Sequence, residues 1–409
     1  MSTVIDRFIR YVKVNTISDH HSGQHPSTQC QMDLIWMLRD EMKALGLTEI
    51  EIDAYGNVTA TLPSNLDHPA PSVGFLAHVD TSPDMSGEHV NPQFIENYDG
   101  GDIVLNQAQN IILSPVQFPD LKDYVGKTLI TTDGTTLLGA DDKAGVAEIM
   151  AALEILAKNP QLPHGRLRIA FTTDEEIGTG IPLFDVKHFD ADYAYTLDGG
   201  KIGGLQYENF NAARAKLTFK GRSVHPGASK DKMINASIVA MEFNGMLPPQ
   251  ERPAYTAGYE GFYHLTNMQG DVEVASLSYI IRDHDRTKFE ARKVWITRAA
   301  EWINQKYGAG TVAVEIVDQY RNMREKIEPV MFVVDLARQA MEAVGITPQV
   351  TPVRGGTDGA TISWNGCPTP NIFDGGHNAH GRFEYIPTYA MEKAVEVTLK
   401  IIELSAARK

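Results

Sequence analysis

Five apolar runs in this chain of 409 residues end in acidic residues or histidines, and that repeated junction restricts the fold more than any other feature. Val73 to Ala77 runs into His78-Val79-Asp80, and Leu137-Leu138 leads through Gly139-Ala140 to Asp141-Asp142. Arg166 to Thr173 ends in Asp174-Glu175-Glu176, Ala191 to Leu197 in Asp198-Gly199-Gly200, and Asn371 to Phe373 in Asp374-Gly375-Gly376-His377-Asn378-Ala379-His380. Short apolar runs bounded by turn residues read as buried strands. The stretch after Asp142 differs, because Val146, Ile149, Met150, Leu153 and Leu156 recur at helical spacing. Strands alternating with helices predict an α/β domain with a largely parallel central sheet. In such sheets ligands gather beyond the carboxyl ends of the strands, which is where the polar residues of this chain fall.

The remaining segments add a second domain. Val4 to Leu47 predicts two helices around a polar loop, Ser18 to Gln29, whose His20, His21 and His25 read as solvated surface. Asp84 to Tyr124 lacks periodicity and predicts a long surface excursion containing a small hairpin. From Asn209 the texture changes to strand, helix, two strands, helix and strand, the order of a split-βαβ (ferredoxin-like) α+β domain. The expected organisation is therefore one domain from residues 1–208 and 320–409, interrupted by an inserted domain at 209–319.

Charge and cysteine content exclude several classes of function. A formal net charge of −15 argues against nucleic acid and anionic membrane, since phosphate binding needs clustered positive charge. No apolar run is long enough to span a bilayer and the first residues lack a secretory pattern, so a soluble cytoplasmic protein is expected. The two cysteines, Cys30 and Cys367, have no CxxC spacing and suggest neither a disulfide framework nor a thiolate metal site.

Carboxylates gathered at one place repel and raise one another's pKa, so a convergent cluster of this kind calls for a cation. Histidine nitrogens with carboxylate oxygens form a ligand set that suits zinc. His78 and Asp80 lie two apart on an extended segment, on the same side, so Asp80 can hydrogen-bond the free ring nitrogen of a metal-bound His78. Glu175-Glu176 offers one carboxylate as a ligand and its neighbour as a proton acceptor. Asp141-Asp142, at a predicted helix start, also reads as a simple cap.

The series His78-Val79-Asp80, Gly139 to Gly145, Asp174 to Gly178, Asp198-Gly199-Gly200 and His380 resembles the co-catalytic dizinc exopeptidase family, which includes carboxypeptidases, aminoacylases and desuccinylases. Tyr207 to Ala213, Gly258 to Leu265, Tyr279 to Asp283, Asn322 to Lys326 and Arg354 to Ala360 are similar to its tripeptide aminopeptidases. The resemblance extends over essentially the whole chain. It implies that Asp141 bridges two Zn2+ ions, with His78 and Asp198 completing one site and Glu176 and His380 the other; Mn2+ or Co2+ could take their place. It further implies that Glu175 is the general base, that Asp80 orients His78, that His377 is no ligand, and that the inserted domain acts as a lid. His225, Arg282 and Arg354 would meet a short peptide substrate. Lids of this kind often dimerise, which leaves a homodimer open. The expected activity is release of the N-terminal residue from tripeptides, with a deacylase or carboxypeptidase of the same metal-site family as the alternative. A non-catalytic relative would lack the base, and Glu175 is present. Phosphate binding at Gly139 to Gly145 fails for want of a GxxxxGK[ST] pattern.

Overall fold

Four of the five apolar runs converge in one eight-stranded sheet, ordered Thr48–Ile52, Val58–Leu62, Leu167–Thr172, Val73–His78, Tyr193–Leu197, Asn371–Ile372, Gly204–Gln206 and Gln349–Val350, while Leu137-Leu138 lies in the loop before a helix. The computed structural model describes residues 3–408. At the centre of the sheet the strands from Leu167, Val73, Tyr193 and Asn371 are mutually parallel. Three of them, Leu167–Thr172, Val73–His78 and Tyr193–Leu197, are buried along their whole length, as strands covered on both faces must be. The sheet is largely parallel, as expected, through that centre and again at one edge, where Gly204–Gln206 pairs parallel with Gln349–Val350. Val58–Leu62 pairs antiparallel with Leu167–Thr172 and with Thr48–Ile52, and Gly204–Gln206 pairs antiparallel with Asn371–Ile372. Thr48–Ile52 alternates between exposed and half-buried residues, so its sequence carries no apolar run to announce it.

Register brings the polar junctions together. His78 pairs with Thr172, Leu76 with Thr196, and Ile372 with Leu197, so the chain leaves four adjacent strands at the same edge of the sheet. Helix Ala140–Lys158 packs on Val73–His78 and on Tyr193–Leu197, and it is buried on nearly every face. Gly145 makes that approach feasible, since a Cβ there would stand 2.3 Å from the carbonyl oxygen of Leu197. The long excursion holds the expected hairpin, Ile103–Asn106 with Ile111–Leu113. A three-stranded sheet of Gln93–Ile95, Leu129–Thr131 and Tyr385–Pro387 adjoins it in the same small core, through Tyr98, Leu113, Leu121, Leu129 and Tyr385. No described helix is long and apolar enough to cross a membrane.

The chain divides into two units. One takes in the chain up to Tyr207, Glu325–Thr351 and the chain from Thr357 onward; the other is Glu208–Arg324 with Pro352–Gly356. The second unit is a four-stranded antiparallel sheet, ordered Phe262–Gly270, Val274–Asp283, Asn211–Lys220 and Val312–Tyr320, with helices Ala236–Met246 and Arg286–Tyr307 packed on it. Its core is built from Leu217, Phe219, Phe243, Leu277, Tyr279, Ile281, Phe289 and Ile296. Burying each such side chain contributes roughly 1.5–3 kcal/mol. Asn235 and Asp285 cap the two helices by accepting from Ile238 and Lys288 N–H. Its limits differ from the predicted 209–319 for a visible reason. Asn209 N–H donates to Asn322 Oδ1, Asn322 N–H to Asn211 Oδ1 and Met323 N–H to Asn209 Oδ1, so the entering and leaving strands are laced together through Met323. Val353 N–H donates to Glu208 O, which ties a returning segment to the same unit.

Candidate metal centre

Five of the predicted ligands meet in two groups that share one residue. His78, Asp141 and Asp198 form one, and Asp141, Glu176 and His380 the other, the ligand atoms of each lying within 4.8 Å of one another. Asp141 Oδ1 is 3.0 Å from His78 Nε2, and its Oδ2 is 3.3 Å from His380 Nε2. His380 Nε2 is also 2.8 Å from Glu176 Oε2. The two oxygens of one carboxylate thus face two different histidines, as a bridging ligand requires.

The loop before helix Ala140–Lys158 explains how Asp141 is presented. Gly139 takes φ +80°, and Asp141 and Asp142 are non-helical, with a cis peptide bond between them. Asp141 is therefore not the helix cap. Asp142 fills that role, since its Oδ1 accepts from Gly145 N–H at 3.3 Å while its Oδ2 accepts from His78 N–H at 3.2 Å.

Asp80 does more than its spacing suggested. His78 Nδ1 is 3.1 Å from the main-chain oxygen of Asp80 and 3.4 Å from its carboxylate. That carboxylate, fully buried, also accepts from Glu175 N–H at 3.0 Å and Glu176 N–H at 3.1 Å, so one residue touches the histidine through its main chain and the Glu175-Glu176 turn through its side chain. Asp174, at φ +59°, secures the other side of the turn. It accepts from Ser27 N–H at 2.7 Å, Ser27 Oγ–H at 2.5 Å and Gln31 Nε2–H at 2.7 Å.

Electrostatics identify what the cluster lacks. Burial, with Asp141 nearby, pushes Asp198 and Glu176 above the usual carboxylate range. Burial also raises Glu175 well above that range; His78 offsets part of the rise, and Asp358, Asp198 and Glu176 reinforce it. His380 is raised to about 11 by its hydrogen bonds to Asp141 and Glu176. His78 is held well above its usual value because bonds to Asp141 and Asp80 outweigh burial. Glu176 Oε1 is buried without a hydrogen-bond partner. Carboxylates that resist ionisation, an orphaned buried oxygen and protons held on both histidines are relieved together by divalent cations. The donor set and its spacing fit metal.

The other expected residues fall as follows. His377 belongs to neither group; its Nε2 is 2.8 Å from Tyr124 Oη and its ring stacks on Tyr385. His225, Arg282 and Arg354 lie in the second unit. His225 is exposed, with Nδ1 accepting from Gly227 N–H at 3.2 Å. Arg282 donates to the carbonyls of Ala213 and Ile281 and stands over the Tyr320 ring. Among the described residues no carboxylate pairs with it, because Asp283 is taken by Arg292 at 2.8 Å. Arg354 is bound to the loop before Phe262, donating to Gly258 O at 2.7 Å, Glu260 O at 3.0 Å and Thr256 Oγ1 at 2.9 Å.

Buried carboxylates that support the ligand-bearing loops escaped the sequence reading. Asp374 accepts from Gly200 N–H at 2.7 Å and Gly376 N–H at 2.9 Å, joining the turn after Asp198 to the segment that carries His380. Asp358 accepts from Thr172 Oγ1–H at 2.9 Å. Glu384 accepts three N–H groups of the Asp141 loop. The available signal was weak: each lies in a Gly-rich or apolar stretch where an acid has no solvent-facing reason to be.

The profile of Peptidase family M20/M25/M40 matches residues 132–404. Peptidase T of Halothermothrix orenii is 59% identical over 408 residues, covering 100% of both chains. The crystal structure of an aminopeptidase from Bacillus cereus superposes with a TM-score of 0.79 at 25% identity, covering 99% of this chain and 98% of that one. A dinuclear metal-binding peptidase of Bacillus subtilis, 14% identical, shares the fold with a TM-score of 0.66, covering 98% of this chain and 97% of that one. Full-length likeness to a named peptidase, together with the family profile, makes this chain a peptidase that belongs to the M20/M25/M40 family, beside the peptidase T sequences.

Proposed function

We propose that the chain is a zinc-dependent aminopeptidase that releases the N-terminal residue from tripeptides. The observation that carries this reading is Asp141, whose two carboxylate oxygens face His78 and His380 in two separate ligand groups, with Glu175 next in the chain to the ligand Glu176 and a member of neither group. His78, Asp141 and Asp198 would hold one Zn2+, and Asp141, Glu176 and His380 the other. Zinc suits imidazole nitrogen with carboxylate oxygen; Mn2+ or Co2+ meets the same donors. Such ions, when bound, would polarise a water and stabilise negative charge on the attacked carbonyl oxygen.

The chain's own residues supply the proton chemistry. Glu175 takes a proton from the attacking water at its carboxylate and later returns it to the amine that leaves. Burial raises Glu175 above the usual carboxylate range, which makes its ionised form a stronger base than an exposed carboxylate. Asp80 fixes the Glu175 backbone and the His78 ring at once, so base and ligand keep a constant separation. His225, Arg282 and Arg354 are proposed to meet the peptide. Arg282, with no carboxylate partner among the described residues, suits a substrate carboxylate in the bidentate manner of guanidinium groups. Arg354 would act through the 256–260 loop that it orders. Short peptides as substrates and a cytoplasmic location belong to the same reading.

The test is a three-substrate assay with metal analysis. Hydrolysis of a free tripeptide should exceed that of its N-acetyl and C-amide forms, and the active chain should carry two ions. Preference for the N-acetyl form would instead establish the deacylase alternative.

A further inference from the structure

Glu384 is 1% exposed, and the Asp141 loop is wrapped around it. Its Oε2 accepts from Leu138 N–H at 2.7 Å and Gly139 N–H at 2.8 Å, and its Oε1 from Asp141 N–H at 3.1 Å. Successive N–H groups that converge on one point, one of them at the left-handed Gly139, form a concavity suited to an anion, and here the chain fills it with its own carboxylate. Those donors stand at a helix start, where no carbonyl of the helix can satisfy them.

Two further facts give this contact a purpose. Glu384 directly precedes the strand Tyr385–Pro387, which pairs with Leu129–Thr131, so its position is fixed by a sheet. Four residues earlier lies His380, 43% exposed at its side chain and at φ +66°, on the loop that leads into this strand. The same short segment therefore bears one ligand and grips the loop that bears another. Both belong to the group Asp141, Glu176 and His380, whereas His78 and Asp198 stand at the ends of buried strands.

We propose that Glu384 is a positioning residue that sets Asp141 against His380 and thereby fixes the affinity of the second ligand group for its cation. The inference rests on the two-ion reading given above.

The test is titration of the metal-free full-length protein with Co2+, followed by calorimetry and by the visible absorption of bound cobalt, for wild type, Glu384→Gln, Glu384→Ala and Glu384→Asp, with His380→Ala as reference. Wild type should take up two ions. Glu384→Gln keeps the length but turns an amide toward N–H donors. It should bind the second ion about 10–100-fold more weakly, the usual range for groups that support a ligand, and the first, which shares Asp141 but is otherwise held from strand ends, by a clearly smaller factor. Its titration should approach that of His380→Ala. Glu384→Asp, charged but short, should fall between Glu384→Gln and wild type. Equal weakening of both ions, or two ions at wild-type affinity in Glu384→Gln, would overturn the proposal. So would unfolding of Glu384→Gln by circular dichroism, which would make Glu384 a folding element only. A wild-type protein that takes fewer than two ions refutes the two-ion reading itself, before any variant is compared.

Discussion

The two ligand groups share Asp141 and are otherwise built by different means. His78 and Asp198 stand at the carboxyl ends of Val73–His78 and Tyr193–Leu197, strands without an exposed residue. Glu176 and His380 stand on a turn and a loop, and the His380 side chain is 43% exposed. A strand end inherits its position from the ladder and the core on both faces. A loop has no such frame, and this chain supplies one with buried carboxylates that collect N–H groups: Asp80 and Asp174 around the Glu176 turn, Glu384 and Asp374 around His380 and Asp141. Rigid placement of a ligand therefore costs little sequence on a strand, whereas on a loop it takes additional acids far along the chain.

Replacing the shared residue should have the largest effect. Asp141→Ala removes a ligand from both groups, so metal analysis should find neither ion retained and peptide hydrolysis should be undetectable. Two ions per chain in that variant would dissolve the distinction between the groups. Next comes the residue outside both. Glu175→Ala should keep two ions and lose about 10²–10⁴ in turnover, the range for removing a general base. Wild-type turnover would exclude Glu175 from proton transfer.

The smallest effect bears most directly on the contrast. In metal-free protein, His380→Ala should cost about 0.5–1 kcal/mol, since it takes a partner from Glu176 and Asp141 but that partner is 43% exposed and already in contact with water. His78→Ala should cost about 1–3 kcal/mol, because it leaves buried acceptors at Asp80 and Asp141 unpaired. Equal costs measured by denaturant unfolding would show that burial does not separate the two groups.

The strand-borne group was legible in the sequence because an apolar run followed by His78-Val79-Asp80 or Asp198-Gly199-Gly200 states both the element and its polar end. The second unit was equally legible, since its strands and helices are long enough for periodicity to appear. Glu384, by contrast, follows His380 by four residues in an ordinary-looking segment, and its partners lie about 245 residues upstream. No local pattern encodes such a contact. The same limit applies to the short strands Gly204–Gln206 and Gln349–Val350, whose pairing comes from neighbours rather than from alternation.

By itself the sequence determined which residue types could act, and that His78, Asp141, Glu175, Glu176, Asp198 and His380 fall where apolar segments stop. That follows from local physics, since apolar periodicity and chain breakers act within a few residues. Only the tertiary structure decided that Asp141 turns its two oxygens to two histidines, that Asp142 caps the helix in its place, and that Asp80 and Glu384 hold the loops in register. Those outcomes depend on hydrogen bonds between segments far apart in the chain, and such bonds exist only once the sheet has aligned its strand ends.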